Sequence, residues 1–214
     1  MNERKVWTSL EIVKLVVSVL TPLLLLWLGM IVNVSIQETE HAIRKAEEAR
    51  EIQRINQLAI QSLAKRVYER RSRAELLASS LKRNVSLEET IERKTNYDDA
   101  YFQWNKDHQA NLLLVRSVLG SQQYSEFESM IEFYLVRKIF SPLDRCLTKA
   151  YDYRMTTGNS GKGILLDCNA NELLQQALDC GYALTDELFK LTERNGSNQR
   201  AVSSNVIKQR CSAE

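Results

Sequence analysis

Hydrophobic positions along the chain fall into three regimes, and each predicts a different kind of helix. Residues 15–32 form an 18-residue run without a charge, and Ile12 and Val13 extend it past Lys14. About 20 apolar residues at 1.5 Å each cross a ~30 Å hydrocarbon layer, and a helix satisfies its own backbone groups there. The run therefore predicts a membrane anchor over 12–34. Trp7 and Lys14 suit one interface, where an indole sits among headgroups and an amine reaches toward water. Pro22 is tolerated within such a span, and Trp27 and Gly29 lie in it.

The second regime is periodic. Residues 36–83 contain neither Gly nor Pro, and Ile52, Ile55, Ala59, Leu63, Val67, Ala74, Leu77 and Leu81 recur mostly at steps of three and four. That spacing places them on one helical face. The stretch 36–50 has only alanines and Ile43 as a stripe, so it predicts a solvated stalk or one strand of a weak coiled coil. Unbroken, residues 37–83 reach about 70 Å.

In the third regime, helical stripes are separated by stop signals. Asn84-Val85-Ser86 ends the long helix, and Ser86 with Glu89 forms an S-x-x-E capping box for the next. Tyr97, Tyr101, Trp104, His108, Leu112, Val115 and Leu119 line one side of that helix, and Gly120 is expected to stop it. A third helix is expected over 122–140. Ser141-Pro142 is expected to cap and open a fourth. Residues 156–168, with three of the seven glycines, read as a loop, and Asn169-x-x-Glu172 starts a fifth helix ending near Arg194. The fold class expected is all-α: a flank (1–11), an anchor (12–34), a long helix or stalk (35–83), an antiparallel helical bundle (84–194) and a polar disordered tail (195–214).

Composition narrows the function. Of 214 residues, 29 are Lys or Arg and 27 Asp or Glu, so a net charge of +2 is too small for a protein that coats nucleic acid. Only 2 Pro and 7 Gly argue against an all-β fold, which needs frequent turns. Arg4, Lys5 and Lys14 stand on the N-terminal side of the uncharged run, while Arg44 alone falls in the first ten residues of the flank that follows the anchor. The positive-inside rule thereby leans toward an external C-terminal region. Cys146, Cys168, Cys180 and Cys211 are compatible with two disulfides outside the cytosol or four thiols inside it.

Motifs for chemistry are weak. Thr157-Gly158-Asn159-Ser160-Gly161-Lys162-Gly163 looks like a phosphate loop, but the Walker pattern needs Gly where Thr156 stands and Ser or Thr where Gly163 stands. Glu38 and His41 supply one Glu-x-x-His pair, and His108 has Asn105 three residues before it, so a di-metal bundle lacks its second pair. The cysteines lack C-x-x-C spacing. The Arg-x4-His of helical ribonucleases of the HEPN type is missing, since Ile36 and Gln103 stand five residues before the two histidines. No catalytic, cofactor or metal residues are expected, and an enzyme is not the favoured reading.

Two segments are rich in unusual residues. Residues 65–83 carry seven basic and two acidic side chains, including Tyr68, Arg70, Arg71 and Arg73, and a second segment holds Tyr97, Asp98, Asp99, Tyr101 and Trp104. A single-strand RNA surface is one reading, with arginine beside aromatics. The favoured one pairs Arg70, Arg71 or Arg73 with Asp98 or Asp99 across antiparallel helices, the aromatics filling the core beside them. A partner-binding surface is the third, because Tyr, Trp and Arg are enriched at hot spots. Asp144 near the start of the fourth expected helix suits its dipole, and Cys146 reads as a small core residue.

The beginning of the chain, Leu10-Glu11-Ile12-Val13-Lys14 through Thr21-Pro22-Leu23 to Leu28-Gly29-Met30-Ile31-Val32-Asn33, resembles the single anchor of uncharacterised bacterial inner-membrane proteins, and Tyr97 to Asn105 with Asn111-Leu112-Leu113-Leu114-Val115-Arg116 is similar to one such family. The resemblance implies a single-pass inner-membrane protein with a helical domain in the cytosol. A looser likeness is to membrane accessory proteins of anti-phage systems, which oligomerise and permeabilise membranes. The expectation is a module that recruits a protein partner or self-assembles at the membrane, with Ser18, Gly29 and Asn33 offering small or polar groups for helix contact. An oligomeric pore is the runner-up, and a tethered RNA-binding or hydrolytic domain the third reading. No nucleic-acid partner is expected.

Overall fold

The computed structural model describes residues 9–192 and 202–212, all in helices and short connections, with no strand among the described residues. The elements are α1 (Ser9–Arg83), α2 (Leu87–Met130), a π-helical segment (Ile131–Phe140), α3 (Ser141–Thr157), α4 (Lys162–Asp167), α5 (Ala170–Thr192) and α6 (Ser204–Cys211). The chain divides into two units, residues 1–52 and 53–214, so the division falls inside α1 and inside the expected stalk.

In the first unit, α1 has the length and hydropathy to cross a membrane. Every side chain described between residues 16 and 36 is exposed, including Leu23, Leu24, Leu25, Leu26, Trp27 and Leu28. Apolar side chains around the whole circumference of a helix fit hydrocarbon rather than water. Pro22 lies within the helix, where it removes a backbone donor, and the neighbouring Thr21 hydroxyl donates to the Val17 carbonyl at 2.8 Å. Trp7 lies outside the described residues, Lys14 is exposed, and a Cβ on Gly29 would meet nothing within 4 Å.

In the second unit, the remainder of α1 buries a stripe: Ile60, Leu63, Val67, Ala74, Leu77 and Leu81 join Trp104, Phe127, Phe140 and Leu143 in the core. α1 ends at Asn84, whose φ of 58° lies in the left-handed region that asparagine tolerates at helix ends. Ser86 then caps α2, its Oγ accepting from the Glu89 backbone N–H at 3.1 Å as the capping box predicts.

Three expectations are corrected: one stop, one cap and one tail. Gly120 does not stop α2, which continues to Met130. The buried stripe Leu112, Val115, Leu119, Phe127, Met130 and Ile131 runs through the glycine, and that burial outweighs the roughly 1 kcal/mol helix cost of one Gly. A helix does begin at Ser141-Pro142, with Pro142 in its first turn, but Ser141 does not cap it: Ser141 has helical φ −65° and ψ −42°, and its N–H reaches back five residues to the Val136 carbonyl, so α3 continues directly from the π-helical segment. The wider π turn ahead of Pro142 relieves the clash its ring makes in an ordinary helix. Finally, the tail is not wholly unstructured. α6 forms at Ser204–Cys211 and packs on α5, with Ile207 fully buried, Cys211 bonded to Cys180, and the Ser203 N–H donating to Glu187 Oε2 at 2.9 Å. A buried isoleucine, a disulfide and a backbone hydrogen bond to Glu187 hold a segment whose composition reads as polar. The rest of that tail, 195–201 and 213–214, lies outside the described residues.

α5 comes close to α1 at Gly181, where a Cβ would sit 3.0 Å from Val67 Cγ1. The loop 156–168 contains the short α4, and Gly158 closes α3 with φ 73°, its N–H donating to the Arg154 carbonyl at 3.0 Å.

Candidate functional site: a buried arginine among aromatic rings

Arg70 sits at the centre of the second unit with 3% of its surface exposed. Its Nη2 donates to Asp144 Oδ2 at 2.5 Å, and the Tyr97 hydroxyl donates to the other oxygen, Oδ1. The guanidinium carbon lies 4.3 Å from the ring centre of Phe140, 4.8 Å from Tyr101 and 5.7 Å from Trp104. Trp104 meets Phe140 edge-on at 5.6 Å and stacks toward His108 at 4.9 Å. A weakly hydrated, planar cation is the charge best suited to such a shell of π faces.

Local sequence explains the arrangement. Tyr97, Ala100 and Trp104 follow helical spacing and turn one face of α2 inward. Asp98 and Asp99 are then rotated about 100° and 200° off that face, and both are exposed. The π-helical segment brings Phe140 inward and leads straight into Asp144.

The expected pairing is therefore corrected in its partner. Arg70 is bound by Asp144 of α3, not by Asp98 or Asp99. Asp98 pairs with Lys94 one turn away at 2.6 Å, and Arg71 pairs with Glu75 at 2.6 Å while its Nε reaches the Leu174 carbonyl. Arg73 is half-buried outside the cluster. Tyr97, Tyr101 and Trp104 do join it. Asp144 was legible only as an acid near a helix start, because nothing in its spacing reveals a partner 74 residues earlier.

Burial is the largest influence on each titrating group of the cluster. Burial and the adjacent Asp144 carboxylate push the Tyr97 hydroxyl far above its ordinary value, so it remains a donor. Burial raises Asp144, opposed by the Arg70 charge and the two hydrogen bonds. His108 is lowered, chiefly by burial, against the pull of Glu132 and Glu128, and its buried Nδ1 has no hydrogen-bond partner.

A cavity of about 500 Å³ opens beside the cluster, lined by Tyr97, Asp98, Tyr101, Asp144, Arg145, Thr148, Lys149 and Asp152. Both Asp144 oxygens are already engaged, one by a cation and one by a hydroxyl. The carboxylate would have to give up a partner to act as a base. The geometry is that of a locked ion pair that fixes α1, α2 and α3 together.

A second guanidinium, unnoticed in the sequence, has a similar structural role. Arg154 is buried and donates to Asn84 Oδ1, the Val85 carbonyl (2.8 Å) and the Gly158 carbonyl, holding the α1–α2 turn against the end of α3. All four cysteines are paired, Cys146 with Cys168 and Cys180 with Cys211.

Comparisons with protein-family models, curated proteins and solved structures return no match to this chain.

Proposed function

We propose that this protein is a single-pass membrane-anchored helical module for binding and assembly, not an enzyme. The anchor segment's resemblance supports a bacterial inner membrane. An antiparallel bundle is supported by three pairings between α1 and α2: Ser62 with Asn111, Arg66 with Asp107, and the Leu76 carbonyl with Arg93. Partners on α2 move backward as α1 moves forward.

One observation carries the binding reading. Along α2, Ile91, Phe102 and Leu113 are 48%, 61% and 58% exposed. They stand 11 residues apart, and 11 steps of 100° return to within about 20° of the same direction, so they share one face of a 44-residue helix. Large apolar side chains repeated along one exposed helix face suit association with another helical surface, from a second copy or a protein partner. The Arg70–Asp144–Tyr97 group, by contrast, turns inward, and both carboxylate oxygens of Asp144 are engaged by it.

The test is the triple variant Ile91→Gln, Phe102→Gln, Leu113→Gln, extracted with the wild type in mild detergent and weighed as intact assemblies. The wild type should run as an oligomer or with a stoichiometric protein partner, and the variant as a single chain. Equal masses for both would overturn the reading. Membrane leakage on expression, lost with Pro22→Ala or Gly29→Leu, would replace it with a pore.

A further inference from the structure

We propose that the helical domain folds on the oxidising, non-cytosolic side of the membrane, and that its two disulfides are made in order by a thiol–disulfide oxidant without need of an isomerase. The inference rests on the anchored reading above and takes the opposite side from the cytosolic placement that the sequence resemblance implies.

Two independent observations carry it. The first is that every cysteine of the chain is paired, with Cα atoms 6.0 Å apart for Cys146–Cys168 and 4.4 Å apart for Cys180–Cys211. Both distances fall within the range a disulfide bridges. Four isolated cysteines in a reduced compartment have no reason to meet two by two, whereas persistent disulfides are characteristic of oxidising compartments. The cysteines also lack C-x-x-C spacing, and among the described residues no group of three or more His, Cys, Asp or Glu side chains is placed to hold a metal ion instead. The second observation is the charge flanking the anchor. Arg4, Lys5 and Lys14 stand on the N-terminal side of the uncharged run and only Arg44 and Lys45 stand in the dozen or so residues after the anchor, a bias that favours the N-terminal side in the cytosol and the C-terminal side across the membrane.

The connectivity carries the second half of the proposal. Four cysteines can pair in three ways. The structure adopts the one in which each cysteine joins the next along the chain, closing loops of 22 and 31 residues that do not interleave. A chain crossing the membrane from its anchor outward presents Cys146 and Cys168 before Cys180 and Cys211. Pairing each cysteine with the next to emerge gives the native bonds directly. In each step a cysteine thiolate attacks the oxidant's disulfide to form a mixed disulfide, and the second thiolate displaces the oxidant. Two electrons and two thiol protons leave each pair, and the oxidant departs as a dithiol.

The test uses the full chain in living cells. Cells are quenched in acid, separated into membrane and soluble fractions, and the protein is denatured and labelled with a mass-adding maleimide, with and without prior reduction. The same is done in cells lacking the compartment's disulfide oxidant and in cells lacking its disulfide isomerase. Bonds are identified by peptide mapping without reduction. The expected result is membrane-bound protein with no labelled thiols before reduction and four after it. Linked peptides should be Cys146–Cys168 and Cys180–Cys211, unchanged without the isomerase and replaced by free thiols without the oxidant. Four labelled thiols in membrane-bound protein from normal cells would overturn the placement while leaving the anchor intact. Crossed pairs, or loss of the native pairs without the isomerase, would overturn the ordered pathway. Recovery in the soluble fraction would instead remove the anchored reading on which the rest stands.

Discussion

Residues 16–36 and 59–81 belong to one helix, yet they dispose of their apolar side chains in opposite ways. In the first stretch every described side chain is exposed, aliphatic and aromatic alike. In the second, Ile60, Leu63, Val67, Leu77 and Leu81 are buried, while Arg66, Arg71 and Glu75 face outward or pair at the rim. The difference lies in periodicity more than in hydropathy. A helix that is apolar on all sides needs an apolar solvent, whereas a striped one needs another helix. The same helix thus carries two kinds of surface, and the buried Arg70 belongs wholly to the striped one.

The comparison can be broken most severely in the first stretch. Leu24→Arg with Leu26→Arg places two charges in the span at about 2.5–3.5 kcal/mol each. The protein should move from the carbonate-resistant membrane pellet toward the soluble fraction. If it stays, the exposed apolar stretch is not a span. The corresponding break in the second stretch is Asp144→Ala, which leaves Arg70 charged and unpaired in the core. A loss of about 3–5 kcal/mol in denaturant unfolding is expected. The double variant Arg70→Met, Asp144→Leu should recover most of that, because an apolar replacement removes the stranded charge. Failure to recover would mean that the pair does more than hold helices together.

Smaller effects sharpen the picture. Removing Cys180–Cys211 by paired Cys→Ala substitution releases a loop closed over 31 residues and should cost about 3–4 kcal/mol on the chain-entropy view, seen as a lower unfolding midpoint. Ser86→Ala removes the α2 cap and should cost about 1 kcal/mol. The smallest effect is on pH. The folded domain lowers His108 below its ordinary 6.5, so it favours the neutral ring and binds fewer protons than the unfolded chain. Its contribution is fully present above pH 6.5 and is lost as pH falls below that value. The unfolding midpoint of the wild type should therefore drop more between pH 7.5 and 5 than that of His108→Gln. Parallel drops would assign the acid sensitivity to other groups.

Much of the fold could be read from local signals, because caps, breaks and stripes act over a few residues. The span, the striped half of α1, the Asn84 break and the Ser86 box all depend on neighbours within one or two turns. The errors came where distant contacts decide. Gly120 reads as a stop and Ser141 as a cap by propensity, but a continuous buried stripe carries α2 through the glycine, and the π-helical segment runs into α3 without a cap. α6 reads as polar tail because its anchorage is one isoleucine, a hydrogen bond to Glu187 and a bond to a cysteine 31 residues earlier, none of them local. At the candidate site, the aromatic face of α2 and the importance of Arg70 were visible as residue types. The choice of Asp144 over Asp98 was not, since it depends on which side of α2 faces the core and on the direction in which α3 leaves the π-helical segment.

The bond between Cys180 and Cys211 also changes what a single peptide cleavage can do. A cut anywhere between those two positions would leave both pieces covalently tied, running as one species until a reductant separates them. Damage to the last part of the chain would then go unseen on an ordinary sizing column, and the severed end would remain tethered at its docking place rather than diffusing away.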